Sequence, residues 1–160
     1  MIDTAKVKDR RQLRYESIDD LLLDIERLIA AEKSGTLRTT GNWTAGQVLG
    51  HIATWIEYGY EGYPMRVPWF IRFFLRKKKA KYLRDGMVPG VRIPGTVDGT
   101  FGTALMTTEE GAARLRRAAQ RLQDGEPAKF DSPAFGPMPH DERVAFNLRH
   151  AELHMSFLHP

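Results

Sequence analysis

Apolar side chains recur every three or four residues in four stretches of the chain, a spacing that places them on one face of an α-helix. The first stretch begins after Ser17, whose side chain can cap a helix, and stops at Gly35, a residue type favoured just past a helix end. Asp19 and Asp20 follow the cap, where negative charge is favourable. Its apolar positions are Leu21, Leu22, Ile25, Leu28 and Ile29. We therefore predict an amphipathic helix here.

The other three stretches begin with comparable signals. Thr44 and Gln47 have the spacing of a capping box, in which the two residues exchange side-chain and backbone hydrogen bonds. Thr107 and Glu110 repeat that spacing before the third stretch. The last stretch begins after Pro139, has two acids in its first turn and continues toward the C-terminus. Together these signals predict four amphipathic helices.

A long connection, residues 64–107, lies between the second and third of these helices. Its first part, "PWFIRFFLRKKKAKYLRDG", predicts a short extra helix that is apolar at its start and basic at its end. Its second part, "MVPGVRIPGTVDGTFG", is rich in proline and glycine and predicts an irregular loop. The alternation of strands and helices typical of a parallel sheet does not occur. We expect residues 1–160 to form a single all-α domain, a four-helix bundle with a long crossover that carries a short extra helix.

The charge of the chain is mild, at +4, and it is unevenly distributed. Eight Lys and Arg residues and no acid lie between Arg66 and Arg84. Such a block is typical of a solvated helix end, and it can also contact anionic lipid or nucleic acid. The small net charge makes nucleic acid the less favoured partner. No apolar run reaches the roughly 20 residues that span a bilayer, and the N-terminus lacks the apolar core of a secretory signal, so a cytoplasmic location is expected.

Histidine supplies the candidate chemistry, because the chain has no cysteine and only five histidines. His150 and His154 lie one helical turn apart within a largely apolar arc of the last helix, and His51 lies at the edge of the apolar arc of the second. Three such imidazoles can bind a metal ion and leave positions open for water or substrate. The alternative is that they are hydrogen-bonded core residues. The opposite arc of the last helix carries Ala145, Leu148, Arg149, Glu152 and Met155.

The segments "NWTAGQVLGHIATWIEYGYEGYP" and "RHAELHMSFL" together resemble the DinB/YfiT-like superfamily of four-helix-bundle proteins. Together with "FDSPAFGPMPHDE", the last of them is similar to a bacterial branch of that superfamily whose function is unassigned. The resemblance extends from about Arg11 to Leu158. It implies a divalent transition metal, such as zinc, nickel, iron or manganese, bound by His51, His150 and His154. Members include thiol-dependent transferases, hydrolases and proteins with no demonstrated activity, and many form dimers.

The resemblance therefore implies a metal-dependent hydrolase or thiol transferase acting on a small molecule, and it implies a homodimer. The alternative is a helical-bundle module without metal or catalysis that works through association. Asn147 is a candidate to orient a ligand or substrate, and Trp55 and Tyr58 are candidates to line a pocket next to His51. The alternative for Asn147 is helix packing, and for the two aromatic residues it is the more common role of core packing. Glu152 lies between the two histidines of the last helix but faces the other way, so this is not the arrangement of zinc proteases. His140 at a helix start and His159 at a frayed terminus are left outside the site.

Overall fold

The computed structural model describes residues 2–96 and 98–160, and these residues are mostly helical. The helices are α1 (Ile18–Ser34), α2 (Ala45–Glu61), α3 (Trp69–Asp85), α4 (Thr108–Gln123) and α5 (His140–Met155). A short 3-10 turn (Thr4–Lys6) precedes them, and two-residue strands, β1 (Arg38–Thr39) and β2 (Leu158–His159), form the one small sheet of the described residues. The prediction of an all-α helical bundle is confirmed.

The predicted helix starts are present as hydrogen bonds. The Ser17 hydroxyl accepts from the Asp20 amide at 3.2 Å, and the Asp20 carboxylate accepts from the Ser17 amide at 2.9 Å. The same reciprocal pairs join Thr44 to Gln47. They also join Thr107 to Glu110. Each box satisfies backbone donors that the first turn of a helix leaves without partners, and so fixes where α1, α2 and α4 begin.

The hydrophobic core lies between α1, α2, α4 and α5. Its fully buried side chains come from all four helices and include Ile25, Leu28, Leu49, Ile52, Leu115 and Met155. Helices α2 and α4 approach very closely. A Cβ added to Gly111 would lie only 2.6 Å from the carbonyl oxygen of Gly46. Two glycines therefore set the spacing of this helix pair.

Helix α3 has 17 residues, as many as α1 and α2, so the expectation that it would be short is wrong. It contains no buried residue and packs on the outside of α5. The Lys79 ammonium contacts the Glu142 carboxylate at 2.6 Å, and the Tyr82 ring meets the Phe135 ring at 5.9 Å. Within the described residues, no helix is both long and apolar enough to cross a membrane.

The end of the chain is paired, contrary to the expectation of a frayed terminus at His159. Helix α5 stops at Met155, and β2 then runs antiparallel to β1, with His159 opposite Arg38. Leu158 is fully buried beside them. Backbone groups beyond the end of a helix need other hydrogen-bond partners. The short ladder between β1 and β2 provides them and holds the terminus against the loop after α1.

The face of α5 opposite the histidines is also buried, although its charged residues suggest a face exposed to solvent. Arg149 and Glu152 are 3% and 8% exposed. The Arg149 guanidinium contacts the Glu152 carboxylate at 2.9 Å and also donates to the backbone carbonyl of Tyr15. The Glu152 carboxylate accepts from the Tyr15 amide at 2.6 Å. Charge pairing and these backbone contacts allow two ionisable side chains to face the interior.

Candidate metal centre

Three histidines from two helices converge in the structure. His51 is on α2, and His150 and His154 are on α5. One ring nitrogen of each histidine lies within 4.8 Å of a ring nitrogen of each of the other two. Among the described residues, this is the one group of three or more His, Cys, Asp or Glu side chains close enough together to hold a metal ion. The juxtaposition of these residues, which the sequence alone could not show, is therefore present.

A backbone carbonyl orients His51. The Nδ1 atom of His51 lies 2.8 Å from the carbonyl oxygen of Phe101, which has no proton to give, so Nδ1 carries the proton. The lone pair is then on Nε2, which lies 3.3 Å from Nε2 of His150. Metal–nitrogen bonds of about 2.0–2.1 Å at tetrahedral angles place ligand nitrogens about 3.3–3.4 Å apart. The His51–His150 spacing matches that geometry.

All three imidazoles are held in the neutral form. Burial lowers the pKa of His51 to about 4, against an opposing effect of the Phe101 hydrogen bond. Burial first, and then repulsion from His51, lowers the pKa of His150 well below its usual range. Burial, followed by repulsion from His51, His150 and Arg10, does the same to the pKa of His154. Neutral imidazoles keep the lone pairs that metal binding requires.

Aromatic rings surround the three histidines. Trp43 stacks on His154, with ring centroids 5.4 Å apart and planes at 16°. Trp55 meets His150 edge-on at 5.8 Å, and Tyr58 packs on Trp55 at 5.7 Å. Trp55 and Tyr58 were predicted to neighbour the site, whereas Trp43 was not. Trp43 lies just before the Thr44 cap, a position from which an apolar residue often packs on the first turns of the helix. This position was the sequence feature that could have indicated its contact with the site.

Three other polar residues of α5 are not part of the three-histidine group. The side-chain amide of Asn147 donates to the carbonyl of Arg143 at 2.9 Å, one turn earlier in α5. The Glu152 carboxylate accepts from the Tyr15 amide, a contact that the sequence did not indicate. His140 is exposed at the first position of α5. A role for Asn147 toward a substrate stays a prediction.

The loop after α3 contributes to the site through its backbone. Phe101 supplies the carbonyl to His51, and the Gln47 side chain donates to the carbonyl of Thr103 at 3.1 Å. Between them Gly102 has φ of 76°, and a Cβ there would lie 2.8 Å from the Thr54 side chain. Sequence reasoning missed this contact because a backbone carbonyl has no residue-type signature.

The fold and the site define an all-α protein with a three-histidine cluster between its second and last helices. Residues 7–160 match the family model described as "Protein of unknown function (DUF1569)", and the chain belongs to that family. No curated protein matches the chain. No solved structure matches it either. The family description assigns no activity, so function has to be argued from the site.

Proposed function

We propose that His51, His150 and His154 bind a divalent transition metal and that the protein is a DinB-like, metal-dependent enzyme acting on a small molecule. The observation that carries this proposal is the convergence of three imidazole nitrogens, two of them 3.3 Å apart, with the third within 4.8 Å. A hydrogen bond between the His51 and His150 rings would account for that one contact, whereas a shared metal ion accounts for the approach of all three rings.

The donor set fits a metal of intermediate softness. Three neutral imidazoles with no carboxylate in the group suit zinc, nickel or iron, with manganese a weaker fit. The hydrogen bond from His51 to a backbone carbonyl is the kind of contact that orients a ligating histidine and raises its basicity. The residues present therefore fit the metal that the superfamily resemblance implies.

A divalent cation held by these neutral ligands would act as a Lewis acid, and would lower the pKa of a water or thiol bound to it. The protein's own residues position and shield that centre. The Phe101 carbonyl fixes the His51 ring, and the Trp43 indole restricts rotation of His154. Trp55 and Tyr58 line one side, where they would exclude water and contact an apolar part of the substrate, and Asn147 is a candidate to orient its polar part.

Two reaction classes are compatible with this centre, a hydrolase and a thiol transferase. A hydrolase would need a general base near the bound water. The three-histidine group contains no carboxylate, and the Glu152 carboxylate is already bound by Tyr15 and Arg149, so neither provides that base. A thiol, with a pKa of about 8.5, needs much less help to ionise than water at about 15.7. The site therefore favours transfer to a thiol over hydrolysis.

Elemental analysis of the untagged protein tests metal binding. We expect about one transition-metal ion per chain, lost in a His150→Ala/His154→Ala variant. A His140→Ala/His159→Ala variant removes the same number of histidines outside the cluster and should retain the metal. Wild-type protein that takes up no zinc, nickel, iron or manganese on incubation would contradict the proposal and leave a non-catalytic association module.

Activity assays then separate the two reaction classes. Metal-loaded protein is incubated with small electrophiles in the presence and absence of small thiols, and with simple esters and amides alone. Consumption of the electrophile that requires thiol, and is lost in the His150→Ala/His154→Ala variant, identifies a thiol transferase. Thiol-independent cleavage of esters or amides, with the same loss, identifies a hydrolase.

A further inference from the structure

The start of α3 exposes a cluster of large apolar side chains. Trp69, Phe70, Phe73 and Phe74 are 80%, 51%, 54% and 62% exposed, and Ile71 beside them is 41% exposed. The rings pack mainly on one another, with Trp69 against Phe70 at 6.1 Å and Phe73 against Phe74 at 5.7 Å. An exposed apolar cluster of this size on a protein surface is typical of an interaction site.

Packing on the other side of α3 fixes this outward orientation. Leu75, Lys79 and Tyr82 are partly buried at helical spacing, so they form the inner face. Lys79 contacts Glu142, Tyr82 packs on Phe135, and the Arg14 side chain donates to the carbonyl of Arg84 at 3.1 Å. The helix is held along its inner side, and its apolar start faces away from the core.

Positive charge surrounds and follows the apolar cluster. Arg66, Lys77 and Lys78 are exposed and have no carboxylate partner among the described residues. The Lys77 ammonium lies over the Phe73 ring at 4.4 Å, so charge and aromatic surface are directly adjacent. We call the residues Arg66, Trp69, Phe70, Ile71, Phe73, Phe74, Lys77 and Lys78 the α3 outer surface.

We propose that the α3 outer surface binds the surface of an anionic lipid bilayer. Aromatic rings favour the boundary between headgroups and acyl chains, and Lys and Arg beside them attract anionic headgroups. The contiguous apolar side chains enter the boundary layer while Arg66, Lys77 and Lys78 stay at headgroup level. This inference does not depend on the metal centre.

Two other occupants fit the surface less well. A second copy of the chain, related by a two-fold axis, would bring two cationic blocks together without acids between Arg66 and Arg84 to pair them. Nucleic acid would neutralise the cations and its bases could stack on the rings, but the net charge of +4 is mild for a nucleic-acid-binding protein. An apolar cluster with adjacent lysines matches an anionic membrane on both counts.

Vesicle flotation of the full chain tests the proposal, with vesicles of equal parts phosphatidylglycerol and phosphatidylcholine and with vesicles of phosphatidylcholine alone. We expect binding to the anionic vesicles that weakens with salt, and little binding to the neutral ones. Each Lys or Arg near the surface contributes about 1 kcal/mol, so reversing the charge of three should weaken binding by at least roughly a hundredfold. The charge variant is Arg66→Glu/Lys77→Glu/Lys78→Glu.

A matched control changes the net charge equally at another place. Lys8→Glu/Arg117→Glu/Lys129→Glu replaces three exposed cations outside α3 and should bind almost as the wild type does. The apolar variant Trp69→Ser/Phe73→Ser/Phe74→Ser should lose binding with all cations present. Circular dichroism checks that each variant keeps its helices. A blue shift of tryptophan emission on vesicle binding, absent in Trp69→Phe, would place this residue at the boundary.

Several outcomes would overturn the membrane assignment. One is no binding to anionic vesicles, and another is equal weakening by the charge variant and its control. Retained binding in the apolar variant would reduce the contact to non-specific charge attraction. Tight binding of a single-stranded oligonucleotide without vesicle binding would assign the surface to nucleic acid. A dimer that the apolar variant dissociates, without vesicle binding, would assign it to a second copy.

Discussion

The Nδ1 atom of His51 lies 2.8 Å from the carbonyl oxygen of Phe101, a contact that joins α2 to a loop 50 residues further along the chain. This contact determines which nitrogen of His51 carries the proton and holds the ring plane. A backbone atom in a loop thereby acts on a candidate metal ligand in a helix. The geometry of the candidate site therefore depends on the position of that loop.

Displacing the loop should weaken metal binding. Gly102 follows Phe101 with φ of 76°, and a Cβ there would meet the buried Thr54 side chain at 2.8 Å. Gly102→Ala should move the Phe101 carbonyl away from His51 and reduce zinc affinity about 10- to 100-fold, the usual effect of losing such a contact. Competition titration with a chromophoric chelator measures the affinity.

Gly95→Ala is the control for this change. Gly95 also has positive φ, at 82°, but a Cβ there would have no atom within 4 Å. Both variants carry the same kind of backbone strain, whereas Gly102→Ala alone adds the collision. Equal loss of zinc affinity in the two variants would contradict a role for the Phe101 contact.

Binding of a quenching metal should be visible in tryptophan emission. Trp43 and Trp55 lie within about 6 Å of histidine rings, at 5.4 Å from His154 and 5.8 Å from His150. Cu²⁺ or Ni²⁺ bound by the three histidines should quench both residues. A Trp43→Phe/Trp55→Phe variant should lose most of the quenching, and Trp69→Phe should retain it. Quenching that persists in His150→Ala/His154→Ala would place the bound ion elsewhere.

The close approach of α2 and α4 should make Gly111 intolerant of a side chain. A Cβ there would lie 2.6 Å from the backbone oxygen of Gly46, which cannot move without shifting a helix. Overpacking of this kind costs about 1–3 kcal/mol, so Gly111→Ala should lower the free energy of unfolding by about that amount. Urea denaturation followed by circular dichroism measures it.

Gly59→Ala separates this collision from helix propensity. A Cβ at Gly59 would meet the Arg143 guanidinium, the far end of a flexible side chain, at 2.8 Å. Alanine is favoured over glycine inside a helix by about 1 kcal/mol. Gly59→Ala should therefore change stability little or raise it. A loss as large as that of Gly111→Ala would show that the helix spacing is not the cause.

An ion pair between the buried Asp24 and the partly buried Arg11 should make stability depend on pH in the acid range. The guanidinium donates two hydrogen bonds to the carboxylate, at 2.9 and 2.8 Å, and the Tyr15 hydroxyl donates a third at 2.6 Å. Removing one partner of a buried pair costs about 3–5 kcal/mol. Asp24→Asn should lower the free energy of unfolding by up to about that much near neutral pH, whereas the control Asp19→Asn, at an exposed position, should have little effect.

The pH dependence of this contribution has a definite sign. Burial alone would raise the pKa of Asp24, but the hydrogen bonds from Arg11 and Tyr15 and the charge of Arg11 outweigh it, so its pKa lies below the usual 3.8. A depressed pKa gives stability that is present above the unfolded value and lost as pH falls through the folded value. The wild type should lose stability below about pH 4, more steeply than Asp24→Asn. Parallel curves would contradict this assignment.

The helices of the bundle could be predicted from local signals. Ser17, Thr44 and Thr107 fix helix starts through contacts three residues away, and apolar spacing shows which faces are buried. The family resemblance added the three histidines as a set, and the structure brings them together. Local pattern and motif were sufficient for these features because each depends on neighbours in sequence or on residue type.

Other features depend on contacts between distant segments. Arg149 and Glu152 look like solvent-exposed residues, and their burial becomes favourable only because Tyr15 and each other supply partners. Likewise, nothing near His159 in sequence predicts its pairing with Arg38. The Phe101 contact is made by a main-chain atom. Burial of polar side chains and contacts of the backbone cannot be predicted from hydrophobic periodicity, because both depend on which distant segments of the chain pack against them.

The placement of the histidines on α2 and α5 has a consequence for synthesis of the protein. His51 leaves the ribosome 99 residues before His150, and the apolar faces of α1, α2 and α4 lack the side chains of α5 until then. At about 5–20 residues per second, this interval lasts several seconds. A nascent chain therefore exposes core surface to chaperones and proteases before the three histidines can meet, and loading of the proposed metal would have to follow completion of the last helix.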